Sequence, residues 1–137
     1  MTYKFEKLEV WQLALEYSDR MYALAEGLPP REDFNLKSQL RRAATSIALN
    51  IAEGLTSQSD AEQARFLSMA LRSLIETVAC QHLIHRRHYL SNPELLRDAY
   101  RYSGKLFAKL QAFRSSLKPA TIREESEPYV IEDATPF

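Results

Sequence analysis

Three observations predict an all-α protein, an antiparallel up-down four-helix bundle followed by an acidic C-terminal tail. Among 137 residues only three are glycine, and the six prolines fall at candidate boundaries or in the tail, so little interrupts long helices. Apolar residues recur at steps of three, four or seven through four separate segments. Short turn-forming stretches divide those segments, and short links make successive helices run in opposite directions.

The first helix is expected over about residues 5–26. Leu8, Trp11, Leu15, Tyr22 and Ala25 set its apolar face, widened by Ala14, Met21 and Leu28. GLPP at 27–30 ends it, with Gly27 available for a left-handed cap and two prolines that donate no backbone N–H. The second helix covers about residues 36–54, with Leu36, Leu40, Ala44, Ile47, Ile51 and Leu55 as its stripe and Asp33 or Asn35 as cap. The third follows a capping box, Ser59 to Glu62, and turns Leu67, Ala70, Leu71, Leu74, Val78 and Ile84 inward. The fourth starts at SNPELL, with Asn92 as cap and Pro93 in the first helical position, where its missing N–H costs nothing. Leu96, Ala99, Leu106, Leu110, Phe113 and Leu117 continue its face, broken only by Ser103.

The chain is long enough for one core, so the bundle is assigned to residues 1–118 and the tail to 119–137. The formal net charge is zero but uneven. Residues 119–137 hold one base and five acids, a net of −4, which leaves 17 basic and 13 acidic residues, a net of +4, in the remainder. A basic body beside an acidic tail bears on partners rather than on fold. Cys80 is the only cysteine, so no intrachain disulfide forms and a reducing, cytoplasmic setting is expected. The first twelve residues carry no signal-peptide core, and no run of 18 apolar residues occurs, so no membrane partner is expected.

One segment, RRAATSIALNIAEG at 41–54, combines buried-type residues with polar ones. At about 100° per residue, Gln39, Arg42, Ser46, Asn50 and Glu53 make one polar stripe beside the apolar one. Ala44, Ala48 and Ala52 make a small-residue flank that lets another helix approach. A polar stripe is ordinarily solvated. Ser46 and Asn50, however, are short and poor helix formers, which favours hydrogen bonds to another helix. The stripe is therefore read as a network fixing register at an interhelical or subunit contact, with Arg72, Ser73 and Glu76 as partners on the third helix.

FNLKSQLRRAATSIALNIAEG (34–54) resembles the signature of the small four-helix-bundle proteins encoded in 23S rRNA intervening sequences. FEKLEVWQLALEYSDRMY and ARFLSMALRSLIETV resemble that family's first and third helices, so the likeness spans about residues 5–117. The resemblance implies a four-helix bundle, assembly as a homo-oligomer, specifically a ring-shaped homopentamer, and no catalytic residues or cofactor. Related accessory proteins of diversity-generating retroelements bind nucleic acid through a basic surface and engage a reverse transcriptase. The sequence departs from the family at Ala48, where proline is frequent, and at Arg72, where glycine is frequent and bulk is expected to disturb close packing.

The fourth helix carries Arg97, Arg101, Lys105 and Lys109 four apart, with Arg86 and Arg87 expected close to its start. Such a stripe attracts phosphate without sequence preference, so RNA or DNA is the expected ligand; a solvated face is the alternative. The acidic tail has the opposite charge and could cover that stripe. His82, His85 and His88 lie three apart but reach too far round and along the helix for a compact metal triad, so no metal is assigned. Cys80 sits among apolar neighbours, and neither a nucleophile elbow nor a phosphate loop occurs. The chain is read as a non-enzymatic oligomeric module binding nucleic acid or a nucleoprotein partner. The alternative is a structural or protein-interaction ring without nucleic-acid affinity.

Overall fold

The computed structural model describes residues 1–117 and 134–137. Four helices, α1 (Glu9–Glu26), α2 (Leu36–Thr56), α3 (Asp60–Arg86) and α4 (Pro93–Ser116), form the bundle. Each packs on the next in sequence, and α4 closes against α1. Their directions follow from cross-helix pairs. Arg20 meets Asp98 while Glu9 meets Lys109, so α1 and α4 are antiparallel. Ser46 meets Ser73 while Gly54 meets Phe66, so α2 and α3 are too. The tail assigned to 119–137 lies outside the described residues except for 134–137.

The first helix departs from expectation in start and phase. Lys4–Lys7 form a 3₁₀ turn, closed by a reciprocal Tyr3–Glu6 cap, and Leu8 is extended, so the α-helix begins only at Glu9. Phe5 and Trp11 meet edge-to-face at 4.8 Å and pack, half-buried, over the core. The buried stripe is Val10, Ala14, Tyr17, Met21, Leu24 and Leu28, which keeps alternating steps of four and three. Leu15 and Tyr22, expected inside, are 39% and 40% exposed. Two apolar stripes lie side by side here, and the one containing Tyr17 faces the other helices.

Gly27 ends α1 in right-handed rather than left-handed geometry (φ −79°, ψ −5°). Its small size has another use: a Cβ there would come within 2.7 Å of Leu90 Cδ2, where the turn after α3 closes over the turn after α1. Glu32 completes that junction. Its buried carboxylate accepts from the Tyr89 hydroxyl at 3.2 Å and the Asn35 side-chain amide at 3.0 Å. Asn35 therefore serves Glu32 instead of capping α2, and Asp33 pairs with Lys37 at 2.7 Å. Arg31 lies over the Tyr89 ring, and its hydrogen bond to the phenolic oxygen raises its pKa.

The α2 stripe is buried at every expected position, although the helix runs on to Thr56. Ser59 caps α3 by accepting from the Glu62 N–H at 3.2 Å, and Asn92 caps α4 by accepting from the Glu94 N–H at 3.0 Å. The end of α3 is a Schellman turn, in which the Tyr89 N–H reaches Ile84 O and the His88 N–H reaches His85 O. His88 occupies its left-handed position at φ 54°, where glycine has no Cβ penalty. His88→Gly is therefore expected to raise unfolding free energy by about 0.5–1 kcal/mol, measured by urea denaturation.

The core contains a polar chain that periodicity did not single out. Thr77 donates its hydroxyl to Leu74 O at 2.5 Å, so Tyr17 is the donor in the 2.7 Å bond to Thr77 Oγ1. Gln81 Nε2 in turn donates to the Tyr17 oxygen at 2.8 Å. All three side chains are fully buried. The chain ties α1 to the diagonally placed α3, and burial pushes the Tyr17 phenol well above its ordinary pKa against the opposing pull of these bonds. Cys80, one step away, is buried, and its thiol is pushed up to about 11, chiefly by burial and also by Glu76.

Candidate nucleic-acid interface

The basic positions of α4 follow from its buried face. Leu96, Ala99, Ser103, Leu106 and Leu110 point into the bundle, which turns Arg101, Lys105 and Lys109 outward and leaves Arg97 half-buried. A spacing of four advances about 40° beyond a full turn at each step, so the stripe winds around the helix. At its start Arg97 leans toward α3, beside His82 and Tyr100 through their common neighbour Phe137. At its far end Lys109 reaches Glu9 of α1 at 3.3 Å. Arg20 of α1 joins the same side, stacked 3.9 Å over Tyr102, with Lys105 at 5.9 Å from that ring.

The carboxylates on this surface are already engaged. Glu94 pairs with Arg97 at 2.6 Å, Asp98 with Arg20 at 2.9 Å, and Glu9 with Lys109. Arg101 and Lys105 are exposed and make no ion pair among the described residues. Exposed pairs of this type are weak enough for a polyanion to displace them. Arg86 ends α3, and Arg87 is the residue after it; both are exposed, seven and six positions before Pro93 at the start of α4. Arg114, by contrast, turns back to Ser68 of α3 at 3.1 Å and to Gln111 at 3.0 Å.

The α2 stripe divides into two. Asn50 donates to Ser46 O at 2.8 Å and to Ser46 Oγ at 3.0 Å, and Ser46 Oγ accepts from Ser73 of α3 at 2.9 Å. These three half-buried residues make an interhelical contact within one chain. Arg42 and Glu53 do not join it. Both are exposed and line an open groove of ≈ 430 Å³ with Tyr22, Arg41, Leu49 and neighbours. Gln39 lies apart, bonded to Asn35 at 3.5 Å. Of the partners expected on α3 only Ser73 takes part; Arg72 and Glu76 are exposed. Arg72 therefore adds no bulk to a packed contact.

His82 and His85 flank the Phe137 ring, while His88 belongs to the Schellman turn. Among the described residues no three His, Cys, Asp or Glu side chains converge as a metal site requires. No helix among them is long and apolar enough to cross a membrane.

Taken together, these features define an all-α antiparallel four-helix bundle with a basic helix on one side and half-apolar grooves on others. The chain belongs to the 23S rRNA-intervening sequence protein family, whose model matches residues 6–110. No curated protein matches it. The matched region contains both halves of the α2 stripe and the whole run from Arg86 to Lys109, and it stops short of the tail.

Proposed function

We propose that the protein is a non-enzymatic assembly module that binds RNA or DNA, alone or in a nucleoprotein, through the basic side formed by α4 and α1. The observation that carries this reading is the exposed Arg101–Lys105 pair, free of ion pairs among the described residues and flanked by Arg97, Lys109 and Arg20. Recognition would be of phosphate, with little base preference. The double variant Arg101→Gln/Lys105→Gln is expected to weaken binding to duplex DNA and structured RNA at least tenfold at low salt and to flatten the salt dependence by about two in log–log slope. Fluorescence anisotropy reads this, with Arg65→Gln/Arg72→Gln on exposed α3 positions as the control. Equal affinity for the α4 variant and the control would remove α4 from the interface.

Assembly is the second part of the proposal, in the form of a homo-oligomeric ring, a pentamer on the family pattern. A ring needs two different faces that fit each other, whereas a twofold dimer needs only one. The bundle offers two on opposite sides. Leu49, 55% exposed, and Tyr22 edge the α1/α2 groove, whose Arg41 Nε is buried without a partner. Ile75, 56% exposed, borders a second groove with Val78 and Phe107 between α3 and α4. Joining these faces leaves the α1/α4 side uncovered and repeats its charge around the ring. The same grooves support the reading of a structural or protein-binding ring, which absence of nucleic-acid binding would favour. A lone buried cysteine suits a reducing compartment, and we place the module in the cytoplasm.

A further inference from the structure

Arg42 and Glu53 on α2, and Arg65, Arg72 and Glu76 on α3, are exposed and make no ion pair among the described residues. Four of these charges form a matched pattern. Arg42 and Glu53 stand eleven residues apart, and so do Arg65 and Glu76, with the base nearer the N-terminus of each helix. Eleven residues make about three turns and 17 Å, so base and acid share one side of their helix. Each interval also holds an exposed apolar side chain. Leu49, 55% exposed, lies four residues before Glu53, and Met69, 42% exposed, lies four residues after Arg65.

These two surfaces fit each other when laid antiparallel and not when laid parallel. With α2 of one copy antiparallel to α3 of another, each base meets an acid and the two apolar side chains coincide. The parallel register sets Arg42 against the partner's Arg65, Glu53 against the partner's Glu76 and Leu49 against the partner's Arg72. Like charges at both ends disfavour it. The antiparallel register is within one residue of the one inside a single chain, where Ser46 of α2 lies opposite Ser73 of α3. Rotation about an axis parallel to the bundle keeps every residue at its own height. A cyclic assembly about that axis therefore brings α2 beside the next copy's α3 in nearly this register. Arg41, whose Nε is buried without a partner, lines the same groove as Arg42, so an incoming carboxylate meets two guanidinium groups.

We propose that copies of this chain join by packing α2 of one antiparallel against α3 of the next, with Arg42 opposite the partner's Glu76, Leu49 opposite the partner's Met69 and Glu53 opposite the partner's Arg65. This rests on the assembly reading above and supplies its contact residues. The contact is heterologous, as a ring needs, and it leaves the α1/α4 side open. Its apolar centre holds the copies together, while the charges at its two ends set direction and height. Exposed ion pairs add little by themselves, so neutralising a charge such as Arg65 is tolerated. Reversing a base and its acid together sets like charges face to face at both ends of every joint.

The test is a charge exchange on the full chain, read by sedimentation velocity over a range of protein concentrations at low salt. Arg42→Glu/Glu53→Lys reverses α2, Arg65→Glu/Glu76→Lys reverses α3, and a fourth protein carries all four substitutions. Net charge is the same in every case. Each reversal alone is expected to raise the midpoint concentration of assembly at least about tenfold. The fourfold variant should return to within about threefold of wild type, because both partners are then reversed. Helical circular dichroism should be unchanged throughout, and if one reversal misfolds, the other decides against wild type. Reversals that assemble like wild type, or a fourfold variant no better than either reversal, overturn this contact while an assembling wild type keeps the oligomer. A wild-type chain that stays monomeric at micromolar concentration overturns the assembly reading and this contact with it.

Discussion

Tyr17→Phe is expected to lower the unfolding free energy by about 2 kcal/mol and the melting temperature by roughly 5–10 °C, with an unchanged denaturant m-value. One hydroxyl is removed, but two buried partners are affected. Gln81 Nε2 loses its oxygen acceptor and keeps only the weak Met21 Sδ contact at 3.7 Å, and Thr77 Oγ1 loses its donor, in a region without access to solvent. Leaving buried polar groups unpaired costs more than the mean value of a hydrogen bond. The triple variant Tyr17→Phe/Thr77→Val/Gln81→Leu is accordingly expected to recover most of the loss, since it removes the stranded groups together. A loss below about 0.5 kcal/mol for the single variant would show that the Tyr17 hydroxyl does not bridge Thr77 and Gln81 as described.

Alkaline titration tests the same residue in another way. The Tyr17 phenol is raised from 10.0 in the folded protein, chiefly by burial, so the folded state keeps its proton where the unfolded state releases it. Above pH 10 the native protein therefore binds more protons than the unfolded chain. The contribution of Tyr17 is complete below pH 10 and falls by up to about 1.4 kcal/mol per pH unit above it. Tyr17→Phe has no such proton to lose, so its stability profile should be flatter in that range. Cys80, raised from 9.0 to about 11, begins the decline a unit earlier in both proteins.

Leu49→Asp is expected to convert the proposed ring to monomers. The wild-type chain of 15.8 kDa should sediment as a multiple, and five copies of 15.8 kDa give about 79 kDa. Leu49 is exposed at the edge of the α1/α2 groove and contributes nothing to the buried core, so folding should survive the charge. In an interface the same carboxylate would be desolvated against an apolar face, a cost of several kcal/mol at every contact of the ring. Unchanged circular dichroism with a mass near that of one chain is the predicted result. Wild-type protein that is already monomeric at micromolar concentration would contradict the ring and leave Leu49 as an ordinary surface leucine.

The sequence makes some of this architecture legible for specific reasons. In α2 and α4 the apolar positions form one stripe bounded by charged or small residues, so periodicity has a single solution, and the burial of Leu40, Ile51, Leu96 and Leu110 follows. In α1 two apolar stripes compete. Tyr17 looks peripheral because of its hydroxyl, yet it wins the inner position since Thr77 and Gln81, sixty or more residues away, supply its partners. Gly27 reads as a left-handed cap because nothing local announces that Leu90 will lie against it. The family likeness proposed from QLRRA and NIAEG agrees with the family match over residues 6–110.

The candidate site was legible as a charge pattern but not as a surface. A four-residue spacing identifies Arg97, Arg101, Lys105 and Lys109 as neighbours, while their winding toward α3 at one end and α1 at the other depends on packing. The same limitation applies to α2. Composition marks Ser46 and Asn50 as hydrogen-bonding residues, and only the crossing of α3 selects Ser73 over Arg72 and Glu76. Phe137 carried no signal of its own, because its site is built from two helices far from it in sequence.

The central claim is that the α1/α4 side binds nucleic-acid phosphate, and the salt dependence of wild-type binding tests it most directly. Affinities for duplex DNA and structured RNA, measured by anisotropy from about 20 to 300 mM salt, should fall with a log–log slope near −3 or steeper, as displacement of counterions from about four phosphates requires. Absence of binding at the lowest salt, or affinity independent of salt, would contradict it and leave a ring whose partners are proteins.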